Sequence, residues 1–159
     1  MSLQYFLSEI ALGEDSTRQF KTDIKNPDSL AAEMAPFANS DGGLLYIGVA
    51  DDGSTPGLSK KDVARVNQLI SNVASQNIRS PLTVSTENIA LENGRLIIAL
   101  KIPKGIDKPY FDKNGVIWLK TGSDKRRVNS KEELRRLFQV SDQRTLAVSR
   151  AWLWNKTCA

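Results

Sequence analysis

Histidine is absent from the 159 residues of this chain, and cysteine occurs once, at Cys158. Without histidine, neither a Ser-His-Asp or Cys-His catalytic site nor a His-ligated zinc or haem can form. A lone cysteine excludes an intramolecular disulfide, so nothing in the sequence indicates secretion. Carboxylates that hold a metal ion are the remaining route to catalysis.

Long apolar runs are missing as well. No stretch approaches the roughly 20 apolar residues of a membrane-spanning helix. The first residues, Met1 to Tyr5, lack the basic and then apolar segments of a signal peptide. No Gly-Lys-Ser/Thr phosphate loop occurs, so nucleotide hydrolysis has no support. We therefore expect a cytoplasmic protein without membrane contact.

The basic residues are concentrated in the last third of the chain. Residues 1–100 contain 8 basic and 12 acidic side chains, a net charge of −4. Residues 101–159 contain 14 basic and 6 acidic side chains, a net charge of +8. This asymmetry favours a face that meets an anion, and nucleic acid is the commonest such partner. A solvated basic surface is the alternative.

Hydrophobic periodicity predicts helices and strands in a globular chain of about one domain. The predicted elements are a helix over 3–11, a strand or extended segment over 16–22, a helix over 30–37, a buried strand over 44–49, a helix over 63–73, strands over 82–91 and 95–102, short strands over 110–111 and 116–120, and a helix after residue 130. Asp28 or Ser29 is the expected cap of the second helix, and Pro36 should kink or shorten it. Asn-Gly pairs at 93–94 and 114–115 predict two hairpins.

The mixture of helices and hairpins indicates an α+β fold rather than regular βαβ alternation. We expect a mixed or antiparallel sheet of hairpins with three to four packed helices over residues 1–140. Residues 141–159 form an apolar tail that contains Trp152 and Trp154. This tail is predicted to form a last helix on the core or on a second subunit, and the truncated end of a longer protein would look the same.

A glycine-rich segment precedes the strand over 44–49. Two adjacent glycines permit a positive-φ turn or the close approach of another chain. A tight structural turn is the preferred interpretation of this segment, with these residues in structural roles: Asn39, Gly42, Gly43 and Gly48.

The densest basic stretch begins at Lys120. Seven basic residues occur within 17 positions: Lys120, Lys125, Arg126, Arg127, Lys131, Arg135 and Arg136. The part over 120–127 is predicted to be a Gly/Ser loop whose free backbone N–H groups, with the start of the following helix, favour phosphate. Trp118 is a candidate for stacking on a base, although a strand tryptophan is more often part of a core.

Acidic residues near predicted turns form a second candidate site: Glu14, Asp15, Asp51 and Asp52. Clustered carboxylates can hold Mg²⁺ or Mn²⁺ for phosphodiester cleavage. Asp-Asp-Gly after a strand is also ordinary turn composition, so both interpretations stay open.

Residues 37–49 read Phe-Ala-Asn-x-x-Gly-Gly-x-x-x-x-Gly-Val, and weaker matches follow in the Trp-Leu-Lys-Thr-Gly-Ser segment over 118–123 and the Glu-Glu-Leu segment over 132–134. With these motifs the chain resembles, over about residues 1–140, the Schlafen AlbA-like DNA-binding domain family. The resemblance implies an α+β domain that binds nucleic acid, as found in many bacterial transcriptional regulators.

Some vertebrate members of this family cleave RNA with three acids. By this resemblance Glu14 matches the first acid and the second falls on the neutral Gln19, while Asp51 or Asp52 matches the third, with Asp51 favoured. An amide in place of a carboxylate lowers metal affinity, so Mg²⁺ or Mn²⁺ is expected only if the chain is a nuclease. Lys120 stands where the family has arginine. The lysine keeps the positive charge but cannot form the bidentate contact that a guanidinium makes with a phosphate.

Three functions therefore remain. The first is nucleic-acid binding, with DNA favoured over RNA, in a transcriptional regulator; its expected phosphate contacts are Lys120, Lys125, Arg126 and Arg127, supported by Arg135 and Arg136. The second is a metal-dependent endoribonuclease that uses Glu14 and Asp51. The third is homo-oligomerisation or protein interaction through residues 141–159. Gln19 removes a carboxylate, so binding is favoured over catalysis and no cofactor is expected.

Overall fold

A four-stranded mixed sheet with helices on both faces organises the computed structural model, which describes residues 1–138. The elements in chain order are α1 (Leu3–Ala11), β1 (Arg18–Lys21), α2 (Pro27–Ala38), β2 (Gly43–Ile47), α3 (Lys60–Asn72) with a π-helical turn (Val73–Asn77), β3 (Ile78–Arg79), β4 (Ser85–Ala90), β5 (Leu96–Ile102), β6 (Phe111–Asp112), β7 (Trp118–Thr121), β8 (Asp124–Arg127) and α4 (131–138). The predicted apolar tail, residues 141–159, lies outside the described residues.

The strands of the main sheet are ordered β1-β2-β5-β4. β1 and β2 are parallel, with Phe20 opposite Tyr46, because α2 carries the chain from one to the other. β2 and β4 each pair antiparallel with β5, and β4–β5 is the hairpin predicted at residues 93–94. Two short antiparallel pairs, β3–β6 and β7–β8, stand beside this sheet.

Strand alternation gives the sheet two buried faces. On one face Leu45 and Ile47 pack with α2 and α3 in the larger hydrophobic cluster. On the other face Phe20 and Tyr46 pack against Phe6 of α1 in a smaller cluster. Gln19 lies next to Phe20 in β1 and opposite Leu45, so it is on the α2 side of the sheet.

The start and end of α2 differ from the prediction. Asn26 caps this helix with its side chain, and Pro27 takes the first helical position, where a missing N–H costs nothing. Asp28 and Ser29 are therefore inside the helix. Pro36 does not end the helix at once: Phe37 and Ala38 follow it in α2, and the second half of the helix is buried.

The second predicted hairpin is also different. Around the turn at 114–115, Phe111 and Ile117 form a single bridge, while β6 pairs with β3 instead. β7 pairs with β8 across Gly122, so the stretch over 120–127 is a strand–turn–strand unit and not a loop. Charged residues are poor strand signals, and this concealed β8 in the sequence.

The predicted α+β class, with a mixed sheet and four helices, is confirmed. Within residues 1–138, the helices are all too short or too polar to cross a membrane.

Candidate nucleic-acid interface

Asn39 joins the end of α2 to the β7–β8 hairpin. Its side chain is buried, and its Nδ2 donates to the carbonyl oxygens of Tyr110 at 3.1 Å and Trp118 at 2.9 Å. Its Oδ1 accepts from the backbone N–H of Tyr110 at 2.7 Å. A single amide side chain thus satisfies three backbone groups and fixes the start of β7 against the helix.

Gly42 and Gly43 let β2 begin directly after α2. Gly42 has a φ of +80°, and a Cβ atom there would stand 2.6 Å from the carbonyl oxygen of Ile102. A Cβ atom on Gly43 would stand 2.5 Å from the ring of Phe37. Gly48 ends β2 with a φ of +106°. Backbone geometry and crowding therefore account for these glycines without a ligand.

The predicted basic stretch is divided between the two faces of the β7–β8 hairpin. Trp118 pairs with Arg127 across the strands. Lys120 pairs with Lys125, and because alternate residues share a face, all four side chains lie on one side. We call these four residues the basic face. Arg126 belongs to the opposite side of the hairpin.

Lys120 is more enclosed than the other two cations of the basic face. Its Nζ donates to Oε1 of Gln19 at 3.1 Å and to the carbonyl oxygen of Ser123 at 3.0 Å. The same Nζ lies 4.8 Å from the ring centre of Phe37. Burial lowers the pKa of this lysine from its usual value, against the opposing effect of the nearby Glu33 charge. Lys120 thus ties β7 to β1.

A buried carboxylate lies beneath the basic face. Glu33 of α2 is 7% exposed, and its Oε1 is 2.5 Å from Nζ of Lys125 and 3.3 Å from Nζ of Lys21. A carboxylate that is removed from water needs such partners. The contacts therefore join α2, β8 and β1, and they neutralise part of the positive charge of the hairpin.

Arg127 has a different partner, the ring of Trp118. Its Cζ lies 5.2 Å from the ring centre, and Nζ of Lys125 lies 5.8 Å from it. The indole N–H of Trp118 donates to Oδ2 of the buried Asp112 at 3.1 Å, which fixes the ring. Within residues 1–138 no carboxylate forms an ion pair with Arg127, unlike Lys125, whose charge is offset by Glu33.

The remaining predicted phosphate contacts lie elsewhere. Arg126 forms an ion pair with Glu133 of α4, and its Nε donates to Oγ1 of Thr121 at 3.0 Å. The hydrogen bond from this guanidinium lowers the pKa of Glu133 from its usual value. Arg135 and Arg136 are exposed on α4. The structure therefore brings together three of the six predicted cations and separates the other three from them.

A cleft of about 720 Å³ separates the basic face from the first half of α2. Lys25 and Ser29 line one side, and Asp112, Trp118 and Arg127 line the other. Trp118, Lys125 and Arg127 of the basic face thus form one wall of a concave site, which is the usual form of a ligand-binding surface.

Glu14 and Gln19 do not fit a divalent-cation site. Oε1 of Glu14 accepts from Nε2 of Gln19 and from the backbone N–H of Phe20, both at 2.9 Å. The amide oxygen of Gln19 in turn accepts from the ammonium group of Lys120. An N–H donor and a cation therefore occupy the place where Mg²⁺ or Mn²⁺ would need carboxylate oxygens.

Asp51 lies on the other side of the sheet. It is exposed in the turn after β2 and lines a separate cleft of about 290 Å³ with Leu7 and Ile10 of α1. Its neighbour Asp52 accepts hydrogen bonds from the N–H and the hydroxyl of Ser54, which is turn chemistry. In the part of the chain from residue 1 to 138, no three metal-binding side chains come together.

Sequence reasoning missed Glu33 and Lys21. Glu33 is 92 positions from Lys125, so no local pattern could show their contact. One signal was available, because Glu33 is the single charged residue in the apolar run over 30–38. An acid inside such a run is rarely buried unless it is paired.

The family is decided by a match to the model of the Schlafen, AlbA_2 domain over residues 14–129. The chain belongs to this family. The match includes β1, the turn from α2 to β2 and the whole β7–β8 hairpin, so the site of this Schlafen AlbA_2 domain lies inside the shared region. The resemblance found in the motif over 37–49 is thus confirmed.

Two solved structures share the fold of this Schlafen AlbA_2 domain. The DIP2311 protein from Corynebacterium diphtheriae is 21% identical, with a TM-score of 0.54 over 80% of this chain and 29% of its own. The chain therefore spans less than a third of that protein. The N-terminal domain of a Nitrosomonas europaea protein, named as related to the ATP-dependent DNA helicase RecG, is 21% identical, with a TM-score of 0.53 over 82% of this chain and 96% of its own. A comparison with curated proteins finds no match.

Proposed function

We propose that this Schlafen AlbA_2 domain is a nucleic-acid-binding module of a cytoplasmic transcriptional regulator, and that it binds DNA in preference to RNA. The observation that carries the proposal is the basic face, where Lys125 and Arg127 lie over the ring of Trp118 at the edge of a cleft and Lys120 lies on the same side of the hairpin. Membership of the family supports it, as does the relation of the Nitrosomonas neighbour to a DNA helicase.

The cations of the basic face have different parts in this proposal. Arg127 and Lys125 are exposed, so they contact phosphate directly, whereas the enclosed Lys120 positions β7 and adds long-range attraction. Arg135 and Arg136 extend the positive surface along α4. Each phosphate that a cation neutralises releases counterions, so binding must weaken as salt rises.

The test measures binding of labelled DNA and RNA of one sequence over a salt series. Replacing Lys125 and Arg127 together by alanine should weaken binding and reduce the slope of log K against log salt by about two, one unit for each lost phosphate contact. The matched control replaces Lys60 and Lys61, two exposed cations in the first turn of α3, by alanine.

Equal effects of the two double variants would contradict the proposal, because both remove two positive charges. Tighter binding of RNA than of DNA would contradict the preference for DNA. Association of two copies through residues 141–159 stays a prediction of the sequence, and light scattering on a chain that ends at residue 144 would test it.

A further inference from the structure

The cleft beside the basic face is close to neutral, although its rim is basic. Its charged lining residues are Lys21, Lys25, Lys125 and Arg127 against Asp23, Asp28, Glu33 and Asp112. The acids are held by the protein itself: Asp23 pairs with Arg65, and Asp28 pairs with Lys113. A cavity with balanced charge suits an uncharged polar group better than a phosphate.

One wall of the cleft is a platform of two flat groups. The guanidinium of Arg127 lies over the ring of Trp118, and the hydrogen bond from the indole to Asp112 keeps that ring in place. Indole rings and guanidinium planes are the protein groups on which nucleic-acid bases stack. The platform is therefore built for a planar, uncharged ligand.

The opposite wall and the size of the cleft agree with such a ligand. Ser29 on that wall, and Asn114 in the turn beside Asp112, contribute short polar side chains that can form hydrogen bonds with the edge of a base. The volume of 720 Å³ falls inside the range of roughly 300–1,000 Å³ that small-molecule sites occupy.

We propose that this cleft holds one unpaired base of a DNA strand, with the flanking phosphates on Arg127 and Lys25 at the rim. This inference rests on the proposed function, since the basic face has to attract the strand first. A base inside a duplex is stacked and paired, so it can enter the cleft only after it is flipped out. Single-stranded DNA therefore binds more tightly than the same sequence as a duplex.

The experiment compares fluorescence anisotropy titrations of a labelled mixed-sequence single strand and of the same strand in a duplex, at one salt concentration. The deciding variant is Ser29→Trp, which fills the cleft from an exposed position on α2. We expect it to weaken single-strand binding about tenfold, the scale of one lost stacking contact, and to leave duplex binding unchanged. Ser71→Trp, at an exposed position of α3, is the matched control.

A second pair of variants tests the platform itself. Trp118→Leu should weaken single-strand binding by a similar factor, whereas Trp118→Phe, which keeps a ring, should restore most of it. If Trp118→Leu does not fold, the Ser29→Trp result still decides.

The possible outcomes separate this inference from the proposed function. Equal affinity for single strand and duplex, or full single-strand binding by Ser29→Trp, would overturn the base site and leave salt-dependent binding by the basic face intact. Absence of binding to either form of DNA would overturn both.

Discussion

At the scale of single residues, Asn39 and Tyr46 are two buried polar side chains with opposite surroundings. The amide of Asn39 makes three hydrogen bonds to backbone groups. The hydroxyl of Tyr46 has no hydrogen-bond partner within residues 1–138, and its ring packs against Phe6 and Phe20, with ring centres 5.3 and 6.2 Å away. Tyr46 therefore contributes to the core through its ring alone.

Tyr46→Phe should stabilise the protein at pH 8. The substitution keeps the ring and removes a buried hydroxyl without a partner, so the free energy of unfolding should rise by about 1 kcal/mol. Urea unfolding followed by circular dichroism measures it. Tyr5→Phe is the comparison: it removes an exposed hydroxyl that donates to Oε1 of Glu9 at 2.9 Å, so it should not raise the stability. A loss of stability in Tyr46→Phe would show that the hydroxyl has a partner after all.

The unsubstituted protein and Tyr46→Phe can also be compared as a function of pH. Burial raises the pKa of Tyr46 to about 12, whereas the pKa of a tyrosine in the unfolded chain is about 10. The folded state thus holds the proton more tightly, and the stability this provides is complete below pH ~10 and is lost as the pH rises through ~12. Phenylalanine does not titrate, so the advantage of Tyr46→Phe should grow by roughly 2 kcal/mol between those pH values.

At the scale of elements, local chemistry predicts most of the helices and only part of the strands. Apolar spacing predicts α1 and α3, and in the structure the side chains of Ser2 and Ser59 cap the first turns of these helices. β8 was not predicted, because its four residues, Asp-Lys-Arg-Arg, are all charged and exposed. β8 is held by its pairing with β7, and β7 is in turn held by the hydrogen bond from Asn39 to the carbonyl oxygen of Trp118. Neither contact leaves a local sequence pattern.

The connection between α2 and β2 can be tested with two glycines of the same conformation. Gly42 and Gly94 have φ values of +80° and +84°, but a Cβ atom on Gly42 would meet backbone at 2.6 Å, whereas nothing lies within 4 Å of one on Gly94. Gly94→Ala should therefore lower the free energy of unfolding by about 1 kcal/mol, the cost of placing an alanine in the left-handed conformation. Gly42→Ala should cost at least about 3 kcal/mol, since the backbone of β5 must also move.

Thermal and denaturant unfolding of the two variants measure this difference directly. Because both substitutions add the same methyl group at the same φ, the excess loss in Gly42→Ala reports the close approach of Ile102. Equal losses would mean that the turn relaxes without cost.

At the scale of the whole molecule, the site exists only because distant elements meet. Charge counting located the basic third of the chain, and the family motif located the turn from α2 to β2. Neither could show that strand alternation sends Lys125 and Arg127 to one face and Arg126 to the other. The contact of Glu33 with both Lys21 and Lys125 depends on the packing of α2 under β8, which only the folded chain defines.

That contact leads to a prediction about the balance between stability and binding. Glu33 holds two cations that a nucleic-acid backbone would otherwise attract, so the protein carboxylate and the phosphates compete for them. Glu33→Gln keeps the shape of the side chain and removes its charge. We expect nucleic acid to bind more tightly, with a salt slope steeper by about one unit, because Lys21 becomes available to a phosphate and Lys125, which already contacts phosphate, no longer shares its charge with Glu33.

The fold should become less stable at the same time, because three elements lose a buried ion-paired contact. The control is Glu92→Gln, which makes the same change of net charge at an exposed turn residue and acts only through screened, long-range attraction. Titrations of both variants over a salt series, with unfolding curves for each, measure the two effects. If Glu33→Gln binds no more tightly than Glu92→Gln, Lys21 and Lys125 do not contact the nucleic acid, and Arg127 is left to carry the direct phosphate contacts of the basic face.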